Sequence, residues 1–156
     1  MKSRILLAAA ALAALPGYAA TVVTFTDPDR YTDVANQRWE TKATLDALGD
    51  HIKRLGDKYI APNDTLRVEV LDIDLAGWAR QGRGPNEVRI VRGKADWPSM
   101  RIRYTLESGG RTRSGEETLA DLNYTQRIQT RSNEPFFYEK RMLDDWFRST
   151  FAERAR

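Results

Sequence analysis

Leu66-Arg67-Val68-Glu69-Val70-Leu71-Asp72-Ile73-Asp74-Leu75-Ala76-Gly77-Trp78 is the stretch on which the fold turns. Apolar and charged residues alternate through it with the period of two that half-buries a β-strand. Leu66, Val68 and Val70 share one face, but the next apolar residues are Leu71, Ile73 and Leu75, so the phase slips between Val70 and Leu71. A slip of one residue sends every later side chain to the opposite face. A β-bulge would restore the facing; alternatively, the far half of the strand is covered on its other side. The bulge is the preferred arrangement. Under it Asp72 and Asp74 point away from the core together with Arg67 and Glu69, and the segment reads as the central strand of a sheet.

On the N-terminal side, Thr21 to Thr26 is rich in β-branched residues and ends at the turn signal Asp27-Pro28-Asp29, which predicts a short strand with Val23 and Phe25 on one face. From Arg38 to Tyr59 the spacing changes. Leu45, Leu48, Ile52, Leu55 and Tyr59 recur at three and four residues, the stripe of an amphipathic helix. Gly49 and Gly56 each weaken that helix by up to ~1 kcal/mol relative to alanine, so it depends on docking. Ala61-Pro62-Asn63-Asp64 ends it.

On the C-terminal side, Ala79 to Asn86 reads as a loop with two glycines and a proline, and Glu87 to Arg92 as a short strand. Met100, Ile102, Tyr104 and Leu106 then alternate with Arg101, Arg103, Thr105 and Glu107. Ser108-Gly109-Gly110-Arg111 is a hairpin signal, and Thr112 to Leu119 returns antiparallel. Ser132-Asn133-Glu134-Pro135 has the cap residues and early proline of a helix start, and a second helix follows from Phe136 to Ala152. Its apolar side carries Phe136, Leu143, Phe147 and Phe151, with Met142 and Trp146 beside them. The order predicts an α+β domain, a mostly antiparallel sheet of four to five strands with two helices packed on one face.

The first residues read as an address. Lys2 and Arg4, the uncharged run Ile5 to Leu15 and the small-residue exit Pro16-Gly17-Tyr18-Ala19-Ala20 make a secretory signal peptide. Its apolar run is too short for a bilayer, which needs about 20 residues. Cleavage after Ala19 puts small residues at both required positions, whereas cleavage after Ala20 places Tyr18 at one of them. The expectation is a leader at 1–19, a single domain at 20–156, periplasmic localisation and no membrane span after cleavage. The full chain has 25 basic and 22 acidic residues; losing Lys2 and Arg4 leaves 23 against 22. The alkaline isoelectric point is therefore no argument for nucleic acid as a partner. With no cysteine there is no disulfide framework and no thiolate chemistry, so stability falls to packing, aromatic residues included.

Asp72 and Asp74 carry the sharpest chemistry. Carboxylates two residues apart on a strand project the same way with roots ~6.5–7 Å apart. They can grip a calcium or magnesium ion if further oxygens converge, or act as an acid/base pair if one is desolvated. The plainer reading pairs them with Arg101 and Arg103, which have the same spacing on another strand. His51, the single histidine, sits on a helix flank, and zinc lacks ligands. Ser114 lies in no nucleophile elbow, and Gly82-Arg83-Gly84 lacks the context of a phosphate loop, so no catalytic residue and no cofactor is indicated. A binding surface is suggested instead by Trp78, Arg80, Arg83, Arg89, Arg92 and Trp97, because arginine and tryptophan are favoured interface anchors. A solvated basic loop with tucked-in tryptophans is the bland alternative.

Several motifs in order extend across the chain after the leader: Val23-Thr24-Phe25-Thr26-Asp27-Pro28 with Tyr31-Thr32-Asp33, Leu71 to Gly77, Trp97-Pro98 before Ile102-Arg103-Tyr104, Tyr138-Glu139-Lys140 and Leu143 to Phe147. Together they resemble a family of small exported bacterial proteins catalogued only as a domain of unknown function. The resemblance implies a Gram-negative envelope location and no assigned activity, substrate or site. The leading expectation is a non-enzymatic binding or envelope-accessory module with an unknown envelope protein or ligand as partner. The alternative is a metal-assisted or acid/base hydrolase using Asp72 and Asp74, and a purely structural envelope protein is the third possibility.

Overall fold

The computed structural model describes residues 19–34, 38–81, 87–93, 95–126 and 134–152. The leader read in the sequence falls, but for Ala19, outside the described residues. The elements are β1 (Ala20–Phe25), α1 (Arg38–Tyr59), β2 (Thr65–Asp74), β3 (Trp78–Gln81), β4 (Glu87–Ile90), β5 (Ser99–Ser108), β6 (Arg111–Ala120) and α2 (Phe137–Phe151).

β2 is an interior strand of a four-stranded sheet with the order β1-β2-β5-β6. Its neighbours β5 and, beyond it, β6 run antiparallel in succession. β1 runs parallel to β2, with α1 as the crossover between them, so the sheet is mixed. The phase slip is a bulge: Val70 lies opposite Ile102 and Asp72 opposite Arg101, which leaves Leu71 as the extra residue. Facing is thereby restored, and Leu66, Val68, Val70, Ile73 and Leu75 are all buried.

One face of the sheet meets both helices. Leu48, Ile52 and Leu55 of α1 and Met142, Leu143, Trp146, Phe147 and Phe151 of α2 join Met100, Ile102 and Tyr104 of β5 in one apolar cluster. Tyr104, Trp146 and Phe151 meet edge to face with centroids 5.4–5.8 Å apart. The docking that α1 needs is provided where Gly56 faces β1, since a Cβ there would overlap Thr21 Oγ1. His51 Nε2 lies 2.9 Å from Asp144 and ties α1 to α2. Arg54 reaches its Nδ1 at 3.3 Å; arginine only donates, so Nδ1 accepts and Nε2 carries the proton.

The opposite sheet face is an exposed lattice of charge. Arg67 reaches Glu107 at 2.7 Å, and Arg103 reaches Glu69 at 2.7 Å and Glu116 at 3.0 Å. Exposed pairs of this kind contribute ~0–1 kcal/mol each.

Three local expectations are corrected. Trp78 to Gln81 is a strand, whereas Ala79 onward reads as loop in the sequence; residues 82–86 lie outside the described residues. β4 ends at Ile90 and pairs with β3 in a separate two-stranded ribbon. Four-residue strands with few apolar positions show too little alternation to be recognised. Finally, α2 begins at Phe137 with Phe136 as its N-cap at φ +57°, and no side chain caps it. Ser132 and Asn133, the expected caps, lie outside the described residues.

Candidate functional site

The end of β2 and the corner that follows it gather the candidate residues. Leu75, Ala76 and Gly77 are buried and turn the chain from the sheet into the ribbon. Gly77 has φ +76°, and a Cβ there would stand 2.6 Å from the carbonyl oxygen of Ile90. Only glycine lets this corner lie against β4.

Arg89, on β4, closes the corner from one side. Its Nη2 donates to Leu75 O at 3.1 Å, to Gly77 O at 3.0 Å and to Asp33 Oδ2 at 2.5 Å, while Nε donates to Ala76 O at 3.2 Å. The planar guanidinium suits such convergent acceptors, where a lysine would offer a point charge. Glu139, in the first turn of α2, closes the other side, its Oε1 accepting the Ala76 N–H at 2.7 Å. Glu139 is only 3% exposed. Burial pushes its carboxyl above the ordinary range, against the Ala76 N–H and the charge of Arg89, which pull it down.

Asp33 also pairs through its backbone beside the end of β2. Its N–H donates to Ile73 O at 2.9 Å and its carbonyl accepts from Leu75 at 3.2 Å. That places Asp72 one side chain away from Thr32, whose N–H and hydroxyl donate to the two oxygens of Asp72, both at 2.7 Å. The Asp72 carboxylate is thus engaged by Thr32 and not by Arg101, although Arg101 is its register partner. Arg101 lies 3.9 Å from Glu116, and Arg103 pairs with Glu69 and Glu116. The expected pairing of Asp72 and Asp74 with Arg101 and Arg103 is replaced by this arrangement: Thr32 takes both oxygens of Asp72, while Glu69 on β2 and Glu116 on β6 take the arginines. Asp74 is held above the ordinary carboxylate range, first by burial and then by the charges of Asp33 and Asp72, with Arg89 opposing. Among the described residues, no three Asp, Glu or His side chains come together as a group that could hold a metal ion.

Beyond Gly77 the ribbon presents its surface. Trp78 is 49% exposed and Val91 37%. The Arg92 guanidinium sits 4.5 Å from the Trp78 ring centroid, a cation–π contact. Asp96 fastens the loop behind them: Oδ2 accepts the Arg92 N–H at 2.7 Å, Oδ1 accepts the Tyr124 hydroxyl at 2.8 Å, and its carbonyl accepts the Gly77 N–H at 2.8 Å. Burial, and then the bond to Asp96, raise the Tyr124 hydroxyl.

Of the six residues suggested as a binding surface, the structure brings Trp78, Arg89 and Arg92 together. Arg89 faces inward as the clamp. Trp97 is half-buried ahead of β5. Arg83 and the side chain of Arg80 lie outside the described residues. Sequence gives no role to Asp33, Asp96, Tyr124 or Glu139, of which Asp33 and Glu139 stand only within the motifs that carry the family resemblance. Glu139 alone left a readable signal, a charged residue three positions from Phe136 and Met142 on the apolar stripe of α2.

Two open grooves lie elsewhere, one of about 1180 Å³ between β6 and α2 and one of about 590 Å³ where the end of α1 meets β6; neither is lined by Asp72, Asp74, Trp78 or Arg92. No helix among the described residues is long and apolar enough to cross a membrane.

The chain belongs to the family described as protein of unknown function DUF3016, whose model matches residues 19–149. No curated protein and no solved structure matches it.

Proposed function

We propose that the chain is exported to the periplasm and acts there as a non-enzymatic binding or envelope-accessory module, with Trp78 and Arg92 at its contact surface. The observation that carries this reading is the half-exposed Trp78 with Arg92 stacked on it, held out on a ribbon whose root is clamped by Arg89. An indole preset by its support gives up little side-chain freedom on binding, and tryptophan and arginine dominate interface energetics. The basic, apolar and small-residue succession of residues 1–20 supports export.

A second reading, an acid/base or metal-assisted hydrolase on Asp72 and Asp74, draws on the raised carboxyl of Asp74, a property that general acids share. It is weakened by Asp72, both of whose oxygens accept from Thr32.

Two experiments test the proposal. Expressed with its own leader in a Gram-negative host, the chain is expected in the osmotic-shock fraction with a new N-terminus at Ala20; retention of the intact leader in the cytoplasm contradicts export. A photo-activatable residue at position 78 is expected to cross-link one envelope component in cells, in a manner that Arg92→Ser suppresses. Absence of any cross-link at 78, together with a hydrolytic activity that Asp74→Asn abolishes, would transfer the assignment to the second reading.

A further inference from the structure

We infer that β6 pairs with the β6 of a second copy of this chain, antiparallel, to form a two-fold symmetric dimer with a continuous eight-stranded sheet. The inference is independent of the binding role of Trp78. β6 is the last strand in the sheet order. It is ten residues long, contains no proline, and keeps an unbroken register with β5 from Arg111 to Ala120. Natural sheets blunt such an edge with bulges, prolines, short strands or charged side chains; β6 has only the last of these, and its charges are of opposite sign at its two ends.

Its register shows which backbone groups are available. Gly109 and Gly110, at φ +54° and +77°, form a two-residue hairpin loop, so Ser108 and Arg111 are a hydrogen-bonded pair. Alternation then turns the N–H and C=O of Thr112, Ser114, Glu116 and Thr118 to the open side.

Charge selects the occupant. Arg111 and Arg113 stand in the first half of β6 and Glu116 and Glu117 in the second. An antiparallel copy therefore sets basic against acidic, whereas a parallel one sets like against like. With the two-fold axis at Gly115, the outward groups of Thr112 meet those of Thr118, and those of Ser114 meet those of Glu116. On the helix side, Arg113, which also donates to the Tyr104 hydroxyl and Thr150 O, comes opposite Glu117, which accepts from Trp146 Nε1, and exposed Arg111 comes opposite Leu119. Leu119 borders the groove of about 1180 Å³ between β6 and α2, which is also lined by Glu117, Asp121, Trp146 and the Asp145–Arg148 ion pair. The basic end of each copy is thus brought to the carboxylate-bearing groove of the other.

Sedimentation equilibrium on protein produced from the full chain tests this. The expected result is a monomer–dimer equilibrium that weakens with added salt. Ser114→Pro, which removes an outward N–H and leaves the β5 pairing intact, should give a monomer that keeps the parent's circular-dichroism spectrum and loses the parent's concentration-dependent melting. Arg111→Glu, at an exposed position, should weaken association about tenfold; it decides the matter even if the proline variant does not fold. A monomer at about 1 mM, the weak end of specific affinity, overturns the inference. So does a dimer whose affinity Arg111→Glu leaves unchanged, or a ladder of larger species.

Discussion

The four-stranded sheet and the β3–β4 ribbon are held by different physics. The sheet is joined to its helices by apolar side chains with no exposure at all, Leu48, Ile52, Leu143 and Phe147 among them. The ribbon is joined to the sheet through polar contacts, with the three carbonyls of Leu75 to Gly77 gathered on Arg89 and the Ala76 N–H on Glu139. Apolar packing is spread over many contacts and tolerates the loss of a few, whereas a polar clamp concentrates its effect on one guanidinium. The difference suits the proposed roles, a stable body and a separately fastened element that presents Trp78.

The largest expected effect lies in the body. Phe147→Ala and Leu48→Ala should destabilise by ~2–5 kcal/mol in urea denaturation, and a loss near zero would show that the helix faces do not carry the core. Arg89→Met should cost less globally, ~1–3 kcal/mol, through the orphaned corner carbonyls and Asp33; a loss as large as that of Phe147→Ala would erase the distinction between the two regions. Asp72→Asn retains one acceptor for Thr32, so its cost should be about 1 kcal/mol. A calcium-dependent melting shift in the parent chain that Asp72→Asn removes would instead assign this carboxylate to a cation.

The smallest effect is a slope with pH. Burial holds the Glu139 carboxyl above its unfolded value, so its contribution favours folding below the unfolded pKa and is lost as pH rises through the folded one. Glu139→Gln stays neutral throughout. Its stability relative to the parent chain should therefore rise between about pH 4 and pH 7, and a flat difference would mean that Glu139 ionises as freely folded as unfolded.

The same division explains how much could be read in the sequence. Periodicity carries the body: the slip at Leu71, the stripe from Leu45 to Tyr59 and the hairpin at Ser108–Arg111 are local patterns, and each appears in the fold. The clamp has no local pattern. Asp33 meets Arg89 across 56 residues and Ala76 meets Glu139 across 63, and nothing in the spacing of either residue names its partner. By sequence Arg89 is indistinguishable from Arg80, Arg83 and Arg92, yet among the described side chains it is the one that turns in. The parallel placement of β1 was equally out of reach, since β-branched residues in Thr21–Thr26 favour a strand without stating its direction. The shared spacing of Asp72/Asp74 and Arg101/Arg103 suggests an ion pair, but Thr32, brought alongside by the pairing of Asp33, takes both oxygens of Asp72.

Hydrogen exchange on the parent chain and Arg89→Met tests the central claim most directly. If the ribbon is fastened through the Arg89 corner, Arg89→Met should strip protection from amides in Trp78–Gln81 and Glu87–Ile90 while those of β2 and β5 keep theirs. Uniform loss across both sheets, or protection of the ribbon that survives without Arg89, would contradict the account.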